Sequence, residues 1–339
     1  MSNLMVPDTE KRAQQHIWTV LRMIDQFGRE INYMRLSVTD KCNLRCRYCM
    51  PAEGVCLKEH KEMLTEDEMI TAVEAAAALG VKKLRITGGE PLVKRNIVSI
   101  CRRAALVEGI EEVCLTTNGI FLPKLAEPLK AAGVKRINLS LDTLDPEKYA
   151  YITRTGTLSD FMAGLNAALE AGFEKVKINA VLIGGFNDNE IVPLAELTKQ
   201  YPVDMRFIEM MPMYDSGDFK EAAFVSNSRV LEALPDAKPV AHDGGVAKLY
   251  RLRDAQGNIG LISPLNAHFC GTCNRIRLTA DGKVKPCLHS DVEYSLKGMD
   301  FDGMKAVLEE AIWNKPQWHG DLDAAHRSQA GRNMNQIGG

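Results

Sequence analysis

The feature that most constrains this chain is an alternation of six strand patterns with intervening helices between Tyr33 and Met210. Met34, Leu36 and Val38 alternate with Arg35 and Ser37, the period of a half-buried strand. Thr65 and Glu68 then form a capping-box pattern ahead of an Ala-rich helix that Gly80 closes. Strands follow over Lys83 to Thr87, Glu112 to Thr117, Arg136 to Leu141, Lys175 to Ile183 and Met205 to Met210. Helical patterns over Arg95 to Val107, Leu122 to Ala132, Asp160 to Ala171 and Asn189 to Gln200 separate them. Such an alternation predicts a parallel sheet with right-handed crossovers.

Six such units curl into a partial (βα)6 barrel, a fold class related to the TIM barrel, with its chemistry on the loops at the C-terminal strand ends. The unusual residues fall at those ends. Cys42, Cys46 and Cys49 follow the first strand, Gly88-Gly89-Glu90-Pro91 the second, and Thr116-Thr117-Asn118-Gly119 the third. Ser140 and Asp142 end the fourth strand, Lys177 and Asn179 lie on the fifth, and Met210-Met211-Pro212 ends the sixth. Each also has a plain explanation: a turn, a satisfied strand-end serine, a core methionine.

Beyond Pro212 the rhythm stops. A short helix over Ser226 to Leu234 precedes two hairpin patterns, Val246 to Leu252 with Ile259 to Ser263 and Arg275 to Leu278 with Val284 to Leu288. A smaller β-rich C-terminal region is expected across the open side of the barrel. The expected division is an arm over 1–30, patterned by Ile17, Val20, Leu21 and Ile24, the barrel over 31–225, the C-terminal region over 226–325 and a tail over 326–339. A second thiol triplet, Cys270, Cys273 and Cys287, lies in the C-terminal region.

Net charge is −2, with acids and bases interleaved, which argues against a nucleic-acid groove. No run of about 18 apolar residues and no signal-peptide pattern is present, so a cytoplasmic location off the membrane is expected. Nine cysteines clustered at two places indicate metal ligation in a reducing compartment. Three sulfurs within one short loop fit a cubane cluster with one iron left open, or a structural zinc loop. Cys-x2-Cys followed by Cys287 and His289 would by itself suit a zinc knuckle.

The spacing C-x3-C-x2-C, with Tyr48 before the last cysteine, resembles the signature of radical S-adenosylmethionine (SAM) enzymes. Paired with C-x2-C-x13-C, it resembles one family, the GTP 3′,8-cyclases of molybdenum cofactor biosynthesis. The likeness spans about residues 25 to 339 and includes the segments Arg35 to Asp40, Arg85 to Pro91, Leu115 to Gly119, Ser140 to Asp142, Arg206 to Glu209, Phe269 to Leu278 and Met334 to Gly339.

That resemblance implies two [4Fe-4S] clusters, one on Cys42, Cys46 and Cys49 and one on Cys270, Cys273 and Cys287. It implies SAM contacts at Tyr48, Gly89, Ser140 and Met211, and GTP contacts at Arg35, Arg85, Thr116, Lys177, Arg275 and Arg277. Arg275, Arg277 and the terminal Gly338-Gly339 are implied to serve catalysis. The implied reaction takes the C3′ hydrogen of GTP with a 5′-deoxyadenosyl radical. C3′ then joins guanine C8, and reduction gives 3′,8-cyclo-7,8-dihydro-GTP. Implied partners are an electron donor, the next enzyme (cyclic pyranopterin monophosphate synthase) and, as an open possibility, a second copy of the chain.

Two rivals stay open at this point: a radical SAM peptide modifier with an auxiliary cluster, and a zinc-binding interaction module. Cys101 and Cys114 read as small buried apolar residues, whereas Cys56 has no assigned role.

Overall fold

The computed structural model describes residues 24–55, 58–213, 223–241, 244–265, 269–322 and 326–338. Ile17, Val20, Leu21, Cys56 and Gly339 lie outside the described residues.

Six parallel strands form the centre: β1 (Tyr33–Ser37), β2 (Lys83–Thr87), β3 (Glu112–Thr117), β4 (Val134–Ser140), β5 (Lys175–Leu182) and β6 (Val203–Glu209). Helices α1 (Glu66–Ala78), α2 (Ile97–Ala105), α3 (Leu122–Ala131), α4 (Pro146–Thr153), α5 (Leu158–Glu170) and α6 (Ile191–Gln200) lie between them. The box heading α1 forms as expected. Glu68 N donates to Thr65 Oγ1 at 3.2 Å and Thr65 N donates to Glu68 Oε2 at 2.8 Å, satisfying two otherwise orphaned donors.

Helix α4 was not legible as a helix, although Asp145 and Pro146 carry a cap signal. Asp145 Oδ1 accepts from Glu147 N and Lys148 N, and Pro146 occupies the first turn, where its missing N–H costs nothing.

The C-terminal strands join this same sheet at both edges. After α7 (Ser228–Ala233) come β7 (Lys238–Pro239), β8 (Lys248–Arg251) and β9 (Ile259–Ile262), with β9 parallel to β6. Then β10 (Arg275–Leu278) pairs parallel with β1 and carries β11 (Lys283–Lys285) and β12 (Tyr294–Ser295) outward. The twelve described strands run in the order β12-β11-β10-β1-β2-β3-β4-β5-β6-β9-β8-β7, an open sheet. Helix α8 (Phe301–Trp313) packs against α1, and a short α9 (Met334–Ile337) ends the described chain.

The two faces of the sheet differ sharply. Met34, Leu36, Leu84, Ile86, Leu115, Ile137, Leu139, Ile178, Met205, Phe207, Ile276 and Leu278 are buried in one hydrophobic core under the helices. Alternation sends Tyr33, Arg35, Arg85, Thr116, Asn138, Lys177, Arg275 and Arg277 to the opposite, inner face. A TIM barrel fills that interior with branched apolar side chains. Here it is cationic, and buried charge is retained only where a partner repays its desolvation.

Candidate active site

Cys42, Cys46 and Cys49 lie on the loop that leaves β1, and α4 fixes its backbone. Arg45 N donates to Thr153 O at 3.0 Å and Arg47 N donates to Ile152 O at 2.9 Å. Arg154, left-handed at φ 63°, caps α4 and donates from Nη1 to Arg45 O (2.7 Å) and Met50 O (3.1 Å). The turn after β2 holds the other side. Gly89 N donates to Thr39 O at 2.7 Å, and a Cβ on Gly89 would lie 2.5 Å from Lys41 O. Glycine is required here so that two backbones can meet. Buried Glu90 then receives Asn118 N, Thr117 Oγ1 and Leu92 N, while burial pushes its carboxyl up to about 7.

Burial pushes the Cys42 thiol up to about 11, the Cys49 thiol up to about 12, and that of Cys46 well above the usual range. The charges of Cys49 and Cys42 add to the effect at Cys46. Three thiols so placed ionise when a cation joins them, and an iron–sulfur centre brings it. Among the described residues no three His, Cys, Asp or Glu side chains converge on a single ion's position.

Cys270 and Cys273 bracket one turn ahead of β10, and Cys287 follows β11. Burial and the charge of Cys273 raise Cys270. At Cys273 burial also acts upward, but Lys315, Arg275 and Arg29 outweigh it and the thiol falls below its usual value. Arg29, which the sequence did not single out, organises this corner. Its Nε pairs with Asp25 at 2.6 Å, while its Nη atoms donate to Cys270 O, Gln317 O, Lys315 O and Pro316 O.

Arg29→Met removes a buried charge and strands both a carboxylate and four carbonyls. It is expected to cost about 3–5 kcal/mol and to lower iron content by about four atoms per chain, since the corner it fixes carries the second triplet. Iron analysis and urea unfolding check both; unchanged iron content would contradict this role.

The inner face gathers most of the basic positions. Arg35 is in register with Arg85 on one side and with Arg277 on the other, and Tyr33 is in register with Arg275. Arg85 donates from Nη1 to Thr116 Oγ1 at 3.4 Å. Lys177 stands apart on β5 beside Asp204, 3.6 Å away. Ser140 ends β4 opposite Asn179. Tyr48 donates its hydroxyl to Asp142 Oδ2 at 2.8 Å, and burial raises the carboxyl of Asp142 to about 6.

The tail joins the two triplets. Asn335 Nδ2 donates to Asp40 O at 3.0 Å, and its backbone N–H favours the ionised Cys49. Three residues on, Gly338 O accepts from Arg277 Nη1, and Arg277 in turn feels the charge of Cys287. A Cβ on Gly338 would lie 2.5 Å from Thr87 Oγ1, so only glycine threads this gap. Met211 packs beside Met213, Ala330 and Ile337 against the same tail. Arg332 anchors it from behind, pairing with Asp281 at 3.1 Å and Glu293 at 2.6 Å.

An open parallel barrel with a thiol loop after its first strand defines a class. The Radical SAM superfamily model matches residues 36–198, and the Molybdenum Cofactor Synthesis C model matches 203–320. Crystalline SuiB of Streptococcus suis shares the fold, with a TM-score of 0.68 at 15% identity over 94% of this chain and 74% of that one. More specific relatives are the GTP 3′,8-cyclase of Alkaliphilus oremlandii, 46% identical over 94% of this chain and 100% of its own length, and that of Pelotomaculum thermopropionicum, also 46% identical with the same coverage. The chain belongs to the GTP 3′,8-cyclase family, radical SAM enzymes that use SAM and [4Fe-4S] clusters, including an additional one.

Proposed function

We propose that this chain converts GTP to 3′,8-cyclo-7,8-dihydro-GTP, the first step of molybdenum cofactor biosynthesis. The observation that carries the reading is the cationic interior: Arg35, Arg85, Arg275 and Arg277 on three adjoining strands, with a tail running from the first thiol loop to Arg277. Among the described residues no carboxylate pairs with any of these four arginines, whereas a triphosphate would satisfy them with charge-assisted, bidentate contacts.

Cys42, Cys46 and Cys49 would hold one cluster and Cys270, Cys273 and Cys287 the other. With SAM bound, the first centre supplies a carbon-centred radical able to take an unactivated hydrogen. Tyr48, Gly89, Ser140 and Met211 would seat SAM beside that centre. Arg35, Arg85, Thr116 and Lys177 would fix the triphosphate and so aim the ribose. Arg275, Arg277 and the glycine tail would close the chamber, orient the reacting carbons and exclude water. Residues 31–225 would thus generate the radical, 226–325 present the substrate, and 326–339 seal the contact.

Its setting would be the reducing cytoplasm, with an external electron donor; the product would pass to cyclic pyranopterin monophosphate synthase, and a homodimer is part of the proposal. No described helix is long and apolar enough to cross a membrane. The test is an anaerobic assay of reconstituted protein with GTP, SAM and a reductant. 5′-Deoxyadenosine and cyclised nucleotide should rise together; SAM cleavage indifferent to GTP would sink the reading.

A further inference from the structure

Tyr33 sits where the arginines meet. Its hydroxyl accepts from Arg85 Nε, and its ring faces Lys83 Nζ at 5.5 Å and the guanidinium carbons of Arg275 and Arg85 at 5.8 and 6.0 Å. Arg35, two residues along β1, acts on the phenol through its charge, while its own Nε is buried without a partner. The carboxylates nearby are engaged elsewhere: Glu112 pairs with Lys83 and Arg136, and Asp204 with Lys175 and Lys177. Among the described residues Tyr33 is thus the acidic group hydrogen-bonded to Arg85.

We propose that Tyr33 is a positioning residue of the phosphate-binding end: as a neutral phenol it sets Arg85 and Arg35 for a polyphosphate, and as a phenolate it supplies the negative charge that the polyphosphate would bring. This rests on the nucleotide reading above and adds a residue to it. Burial acts to raise the phenol, but Arg85 and Arg35 outweigh it and bring Tyr33 down to about 8. Between pH 7 and 9 Arg85, held above its usual value, and Arg35, brought down by burial only to about 10, stay cationic beside it, while Glu112 is held below its usual value and burial raises the Cys114 thiol.

Phosphate and phenolate exclude one another, so polyphosphate affinity falls once the phenol ionises. The experiment is equilibrium dialysis of the reconstituted holoprotein, without SAM or reductant, against GTP, guanosine and inorganic tripolyphosphate from pH 7 to 9. GTP and tripolyphosphate should bind evenly up to about pH 8 and then weaken about tenfold per pH unit. Guanosine should show no such slope, and Y33F should bind GTP evenly to pH 9. A level wild-type GTP profile, or a slope kept by Y33F, overturns the proposal. Should Y33F fail to fold, the wild-type contrast between GTP and guanosine decides alone. Tripolyphosphate bound with the slope but GTP not bound would uphold Tyr33 and remove the nucleotide reading.

Discussion

Deleting Gly338 and Gly339 is expected to lower cyclised nucleotide by at least about 10²-fold while 5′-deoxyadenosine formation continues. The reason lies in what surrounds Arg277. Burial, Arg35 and Arg275 together push its guanidinium well below the usual arginine range, so its charge is held in place by acceptors. Gly338 O is one of them, and it sits at the end of a tail already pinned by Arg332 to Asp281 and Glu293. Cutting the last two residues leaves Arg332, Asn335 and every cluster thiol in place. The cost therefore falls on the chamber, where Arg277 loses its orientation and water gains entry. Iron content and visible absorption should stay constant. Loss of both products together would move the tail's role to SAM activation, and full cyclisation would remove its role.

Much of the fold was legible because alternation is a local signal. The bounds of β2 and β3 follow directly from Leu84, Ile86, Val113 and Leu115 facing one core. Helix α4 escaped because it buries only Tyr149, Ile152 and Thr153, too few for a periodic stripe, and its cap alone carried the message. Pairing of β10 with β1 was beyond local reading, since about 240 residues separate partners such as Arg35 and Arg277. That same pairing brings the site together. Arg277 read as a motif residue, but its company of Arg35, Gly338 and Cys287 exists only through the register.

Arg29 and Tyr33 were silent for the same reason. The acceptors of Arg29 are backbone carbonyls from Cys270 and from 315–317, which no side-chain pattern announces. Tyr33 looked like a strand residue because its neighbours across β1 are set by pairing with β2 and β10. Glycines at 88 and 89 were legible as a turn that lets backbone come close. The backbone that approaches is the thiol loop itself, at Thr39 O and Lys41 O, so the turn also fixes the first cluster's frame.

Replacing one cysteine in each triplet separates the two halves of the chemistry, and the outcomes should differ in kind. Cys46→Ala is expected to remove about four irons per chain and to abolish both 5′-deoxyadenosine and cyclised nucleotide. Cys46 is the middle ligand of its triplet, and two sulfurs on a loop this short cannot hold a cubane that already lacks a fourth protein ligand. Cys273→Ala should also remove about four irons, yet SAM cleavage should persist while cyclisation is lost. The first thiol loop depends on α4, the turn after β2 and the tail, and none of these is built from the turn that carries Cys273. Product analysis by chromatography, paired with iron counts, reads the contrast. Were Cys273→Ala to stop SAM cleavage as fully as Cys46→Ala, the two centres would be coupled in radical generation itself. The inner arginines would then serve a single chemical unit, not a substrate held apart from its radical source.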